Sequence, residues 1–442
     1  LYACPYTQAI PFMIDTRTEE GRVLSPVISV SDKKGFVREF SKYKKMIQSD
    51  EKNIERAYDA AVNAQSEFEN NFKKTVSDAL IRGGYKYIFA VLGKPYNTFD
   101  PYINLNLFER LRRMGILAVP AAYLDLNTEG IETNLPWKFS SDIYKYAVAL
   151  CREKREIYPV IISNFGCGPD AFTFKQIEEV LRDKTHLVLE FDEQRGEAGL
   201  VTRLEAFCDQ IEYSRKVSIK ESSLYLRTKN IRRDFPDPEE AEIVIPYFAD
   251  QVFAFSGLFK NKGYRVKVLN LPDERIQSLG EKYSLGKECH AYSVLLGDLV
   301  NVALGAKDTS RNILFYLPGT QIPCLMHQYG EGMAVLLSEL GVKNVTVLFP
   351  NGEQLISEMG IEAMERYYKG LLSIELLEKA VCEIRPYEVE KGLTDMIHRT
   401  NLSLMEQAIA YGDIYDALDA SLKNLSQIRT DRSEARPLIG VA

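Results

Sequence analysis

No stretch of this chain approaches the roughly 20 consecutive apolar residues that a helix needs to cross a bilayer, so no membrane span is expected. Excess positive charge is missing too. The 442 residues carry 55 Lys and Arg against 62 Asp and Glu, a net charge of −7. That balance recommends neither nucleic acid nor an anionic membrane as a partner. Cysteine is sparse and odd in number, seven in all. This excludes a disulfide framework and points to a reduced, cytoplasmic compartment. No C-x-x-C pair of the kind zinc sites use is present, and no short-spaced ferredoxin run. No GxxxxGK[ST] pattern occurs, so no ATP site is expected within the chain. There is neither an initiator Met nor a signal peptide, and the last residues, RPLIGVA, read as the opening of a buried strand. The sequence is therefore expected to be an internal piece of a longer polypeptide, with part of its site elsewhere.

What is present is a division among the cysteines. Four sit in loops dense with Gly and Pro: Cys4 in ACPY, Cys167 in NFGCGPD, Cys289 in GKECHAY and Cys324 in TQIPCLMHQY. Cys151, Cys208 and Cys382 lie in helix-like stretches. A thiol in a loop after a buried strand is placed to bind a metal or to react, whereas a thiol on a helix face usually fills space.

The chain is 45% hydrophobic and 26% charged, enough to bury the cores of two or three domains. From about 36 to 80, apolar residues recur at helical spacing and Gly83-Gly84 closes the pattern, so one long helix is expected. Strands then alternate with helices: YKYIFAVLG, ILAVPAAYL, YPVIISNFG and HLVLEFD are the strands. Apolar strands spaced by such helices argue for parallel α/β layers. KNIRRDFPDPEEAE is charged, carries two prolines and lacks an apolar period, which reads as a linker. The pattern restarts with EIVIPYFAD, YRVKVLNLP, RNILFYLPG and VTVLFP as strands, and the chain is mostly helical from about 353 to 430. The expectation is two Rossmann-like parallel-sheet modules, 1–230 with the Cys4 and Cys167 loops and 231–442 with the Cys289 and Cys324 loops. The halves share the order strand, loop, helix, strand, which suggests two related modules.

In open α/β sheets, ligands bind outside the carboxyl ends of the strands. Cys167 and Cys324 both follow apolar strands there. Gly166 and Gly168 let the backbone approach a ligand, Pro169 fixes the first helical turn, and amides at that helix start favour a thiolate or an anionic cluster. Four dispersed thiolates suit a cluster held between domains, and all-thiolate ligation selects iron–sulfur or zinc. His290 and His327, beside Cys289 and Cys324, leave a mixed Cys/His zinc site open, although a supporting or surface role suits them better. In EFDEQRGEAGLVTRLEAF, Asp192, Glu193 and Arg203 surround a glycine turn that either caps a helix or faces a ligand. GKPYNTFDPYIN, with Lys94, Tyr96 and Asp100, lies at another strand end and is suited to an anionic group.

These loops resemble the 2-hydroxyacyl-CoA dehydratase superfamily, most of all the large CoA-substrate-specific enzyme activase-related proteins and their double-cubane cluster relatives. The segments that carry the resemblance are Cys4-Pro5, GKPYNTFDPYIN, NFGCGPDAFTFKQ, DEQRGEAGLVTRLEAF, GKECHAYSVLLGDLV and IPCLMHQYG. The resemblance implies oxygen-sensitive iron–sulfur clusters, [4Fe-4S] or double-cubane, in α/β modules. It implies Cys4, Cys167, Cys289 and Cys324 as ligands, and electrons from a partner ATPase, the activase module or subunit. It also implies a CoA-thioester substrate and leaves room for a homo-oligomer. The chain departs from the pattern where Cys-Tyr-Pro becomes Cys289-His290-Ala291 and Cys-Arg becomes Cys324-Leu325, and an upstream Cys-Tyr-Pro segment is missing. Four cysteines complete one cubane; a double cubane needs more. The alternatives are a structural or docking module with zinc or no metal and, last, a transferase with incidental cysteines.

Overall fold

The computed structural model describes residues 3–18, 23–216, 230–306, 311–320, 324–433 and 436–437. The chain divides into two compact units, residues 1–225 with 322–324 and residues 226–321 with 325–442, so Cys324, read with the second module, falls in the first unit.

In the first unit, β1 (Tyr87–Leu92), β2 (Ile116–Pro120), β3 (Ile157–Asn164) and β4 (Leu187–Phe191) form one sheet in the order β2-β1-β3-β4. All three pairings are parallel, with Ile88 opposite both Leu117 and Ile157. The side-chain period of two splits β1 between two cores. Tyr87, Phe89 and Val91 join Leu107, Leu111 and Phe207 on one face. Ala90 and Leu92 join Ile143, Leu150 and Phe174 on the other. A strand apolar at every position is thus explained by helices covering both faces.

In the second unit, β5 (Ile231–Arg232), β6 (Ala241–Ile245), β7 (Arg265–Val268), β8 (Asn312–Tyr316) and β9 (Val345–Leu348) lie in the order β5-β9-β8-β6-β7, again all parallel. Leaving aside β5, this is the strand order of the first sheet: each unit's first strand sits between its second and third. The similarity of the two halves in sequence extends to their topology, and the expected fold of two Rossmann-like modules with a helical C-terminal part is the fold observed. Helices Ile361–Ile384, Leu393–Tyr411 and Ile414–Ser426 pack beside β6 and helix Val252–Asn261 in one core with Phe255, Phe259, Tyr367 and Ile409.

Two expectations need correction. The long N-terminal helix is two helices, Lys33–Ser41 and Glu51–Arg82. Between them Gln48 takes φ +51°, and the Asp50 carboxylate accepts the Asn53 amide to cap the second helix. A capping carboxylate starts a new helix where the apolar spacing alone runs on. The Gly83 end is as expected, with φ +63°. Second, the charged segment read as a linker contributes an edge strand. The Asn230 amide donates to the carbonyls of Val342 and Val345 at 2.8 and 2.9 Å, which seats β5 beside β9. A two-residue strand is too short to show a period. Of the strand read at RPLIGVA only residues 436–437 are described. The rest lies outside the described residues.

Candidate functional site

Each of the four loop cysteines stands directly before a helical turn. Cys4 is the N-cap of helix Pro5–Asp15, with Pro5 at the first helical position. Cys167 is the N-cap of helix Gly168–Val180, with Pro169 in its first turn and Gly166 at φ +73° before it. Cys289 precedes helix His290–Ala306, and its carbonyl accepts the Tyr292 and Ser293 amides at 3.0 and 3.3 Å. Cys324 precedes the 3-10 turn Leu325–Gln328, which leads into helix Tyr329–Glu339. Cys151, Cys208 and Cys382 lie inside helices Lys138–Arg152, Glu197–Lys216 and Ile361–Ile384. The division read from loop composition is therefore a division between helix starts, where free amides carry partial positive charge, and helix bodies, where none is exposed.

The Cys167 loop is the most elaborated of the four. β1 ends at Leu92, and past Gly93 Lys94 is the N-cap of the short helix Pro95–Phe99. Lys94 is 4% exposed and Asp170, in the first turn of the helix after β3, is 2% exposed. Lys94 Nζ lies 2.9 Å from Asp170 Oδ1 and donates to Cys167 Sγ at 2.8 Å. The Ser163 hydroxyl, at the end of β3, donates to the other Asp170 oxygen. The pair thus ties the carboxyl ends of β1 and β3, the two neighbours at which the strand order reverses. That is where α/β sheets bind ligands.

Electrostatics at this point run against one expectation. Burial alone would push the Lys94 ammonium down, but Asp170 and Cys167 outweigh it and hold Lys94 above the ordinary lysine range. For Cys167, burial and then Asp170 push the thiol up, against the pull of Lys94. The helix start was expected to favour the thiolate; desolvation outweighs it. Nor is Lys94 free to take an anionic ligand, since its charge is matched within the fold. Asp100 is also committed, accepting the Tyr102 and Ile103 amides at 2.8 and 3.3 Å. Tyr96 is 45% exposed, its ring edge-on to Phe139 and its hydroxyl hydrogen-bonded with Lys94. Beside this strand end lies an open groove of about 380 Å³ lined by Phe68, Phe99, Tyr123 and Tyr146.

The other predicted residues are placed as follows. The Asp192 carboxylate accepts the Gln194 and Arg195 amides, both at 3.1 Å. Arg195 takes φ +54° and lays its guanidinium 3.8 Å over the Tyr102 ring. With Arg203 they line a cavity of about 160 Å³ at the start of helix Glu197–Lys216. In the second unit, Cys289 Sγ lies 2.6 Å from the Tyr329 hydroxyl. His327 Nδ1 pairs with the Thr320 carbonyl, and His290 is exposed. The charged cluster in this unit escaped the sequence reading. Past β6, the Tyr247 hydroxyl donates to one oxygen of Asp250 and His398 Nε2 pairs with the other at 2.6 Å. His398 comes from helix Leu393–Tyr411, more than a hundred residues away, and no local spacing signals it. Asp170 was more accessible to reading, as a carboxylate just inside a helix that opens Gly-Pro.

Does this set fit an iron–sulfur cluster? The donor chemistry does. The buried ammonium of Lys94 on Cys167 Sγ is the kind of donor that ligating sulfurs accept. The grouping is a different matter: among the described residues, no group of three or more His, Cys, Asp or Glu is arranged to hold a metal ion. No described helix is long and apolar enough to cross a membrane.

Residues 1–124 match a family model described as the CoA enzyme activase uncharacterised domain (DUF2229). At this level the N-terminal part is similar to activase-related proteins. The matched stretch contains Cys4 and Lys94 but not the other three loop cysteines. No curated protein and no solved structure matches the chain significantly.

Proposed function

We propose that this chain is an iron–sulfur cluster-binding component of an ATP-dependent, low-potential electron-transfer or reductase system related to 2-hydroxyacyl-CoA dehydratases and their activases. The observation that carries the reading is the placement of Cys4, Cys167, Cys289 and Cys324, each directly before a helical turn, while the other three cysteines lie within helices. The activase-domain match over residues 1–124 supports it. Cys4, Cys167, Cys289 and Cys324 are the proposed ligands, with the ATP-hydrolysing activase module as electron donor and a CoA thioester as the substrate class. A bound cluster supplies one-electron chemistry. The residues of this chain supply the rest. Asp170 keeps Lys94 charged, Lys94 donates to Cys167 Sγ, and the β1 and β3 ends hold both in place. A donor on a ligating sulfur stabilises added negative charge and so raises the reduction potential.

The test is iron and acid-labile sulfide analysis of anaerobically purified protein, with electron paramagnetic resonance after reduction. A brown protein with about four irons per chain is expected, the content of one cubane. A second reading, a structural or docking module with zinc or no metal, is favoured by one observation: Cys167 and Cys289 already have local partners in Lys94 and Tyr329. Stoichiometric zinc, or a colourless protein whose Cys167→Ser variant loses stability alone, would decide for it.

A further inference from the structure

Helix Ile361–Ile384 is apolar on two opposite faces. One face carries Met364, Tyr367, Ile374, Leu377 and Val381 into the core of the second unit. At Gly370 the helix crosses its neighbour so closely that an added Cβ would lie 2.3 Å from Ile409 Cδ1. This face is therefore fully engaged. The other face presents Ile361, Tyr368, Leu372 and Leu376, which are 82%, 60%, 59% and 52% exposed. At 100° per residue these four fall within a stripe about 80° wide, on the side turned away from the core. A stripe this narrow and apolar is the seam of a helix pair rather than scattered surface hydrophobes.

The charges along the stripe select the partner. Glu365, Lys379 and Glu383 lie on it, the first two seven residues before and seven after Leu372 and Glu383 at the end of the helix. A second copy laid antiparallel about Leu372 sets Glu365 of each copy against Lys379 of the other. The same operation sets Tyr368 against Leu376. A parallel pairing instead sets Glu365 against Glu365 and Lys379 against Lys379. The pattern is self-complementary under a twofold axis, which is the requirement of an isologous interface.

We infer that helix Ile361–Ile384 is a dimerisation surface, pairing antiparallel with the same helix of a second copy about Leu372. The inference does not depend on metal content. In the single copy Glu365 is already neutralised by Lys369 at 2.7 Å, so Lys379 is the cleaner position for a charge reversal.

Sedimentation equilibrium of the full chain over a range of concentrations tests this. A reversible dimer is expected. Leu372→Glu, at a solvent-facing position that leaves the core untouched, should weaken it by more than about tenfold. Lys379→Glu creates two like-charge contacts and should weaken it by about three- to tenfold. The double variant E365K/K379E restores both pairs and should return to within about twofold of the parent. A chain that stays monomeric throughout overturns the inference, as does a dimer indifferent to Leu372→Glu. A K379E defect that E365K fails to repair rules out the antiparallel register.

Discussion

The two sheets set equivalent strands in the same order, yet the ends of their first strands are used differently. After β1 stands Lys94, buried and paired with Asp170 on the helix that follows β3. The charge pair stays within the sheet's own connections and closes the point where strand order reverses. After β6 stand Tyr247 and Asp250, whose partner is His398 on helix Leu393–Tyr411. Here the strand end is tied to the C-terminal helices instead. Repeated strand grammar thus carries the framework, while the polar chemistry at equivalent points is set by side chains that nothing in the repeat constrains. A second contrast follows. The first unit pairs its buried carboxylate, Asp170. The second pairs its buried Glu406 with Lys260 at 2.9 Å but leaves Asp298, 3% exposed on helix His290–Ala306, with one oxygen buried and unpartnered.

The contrast breaks most sharply at the Lys94–Asp170 pair. Removing either partner by Lys94→Met or Asp170→Asn leaves the other group buried without its match, a loss of about 3–5 kcal/mol in urea unfolding. The combined change to Met and Leu should recover most of it, because two apolar groups need no partner. Single variants costing under about 1 kcal/mol would mean the pair does not hold the strand ends together.

Asp298 should behave in the opposite way. Burial first, and Asp273 second, push its carboxyl up to about 7. An acid whose folded pKa is raised holds its proton while the unfolded chain releases it. Stability is therefore lost as pH rises from about 4 towards 7 and stays low above that. Asp298→Asn removes this term. It should stabilise the protein by about 4 kcal/mol at pH 8 and leave it unchanged at pH 4. A variant with the same stability–pH curve as the parent would show that the carboxyl is not suppressed.

The smallest expected effect is at the β6 end. Burial would raise the Asp250 carboxyl, but hydrogen bonds from His398 and Tyr247 outweigh it and hold it below the usual range. Its contribution is present above the unfolded value of about 3.9 and is lost as pH falls through the lower folded value. His398→Leu should cost about 1–2 kcal/mol at neutral pH. It should also flatten the acid limb of the stability curve; an unchanged limb would detach His398 from Asp250.

Much of the framework was legible in the sequence because its signals are local. Val, Ile and Phe runs bounded by Gly and Pro marked eight strands, and their repeated order pointed to two alike modules. What escaped was either short or distant. Asp50 splits a helix that its apolar spacing continues, and Asn230 makes an edge strand from a stretch that reads as a linker. At the site, the cysteines were visible through their Gly and Pro neighbours. The charge that surrounds Cys167 was not, because Lys94 comes from another strand end 73 residues away. The upward push of burial on the Cys167 thiol was missed because helix starts are read from sequence and desolvation is not.

The central claim is that cysteines at helix starts ligate a cluster and cysteines within helices do not. Iron content after anaerobic purification of Cys167→Ser, set beside Cys208→Ser, tests it most directly. The account predicts that the Cys208 variant keeps its iron and its reduced paramagnetic signal while the Cys167 variant loses or alters both. Equal iron in the two, or iron in neither they nor the parent, would contradict it.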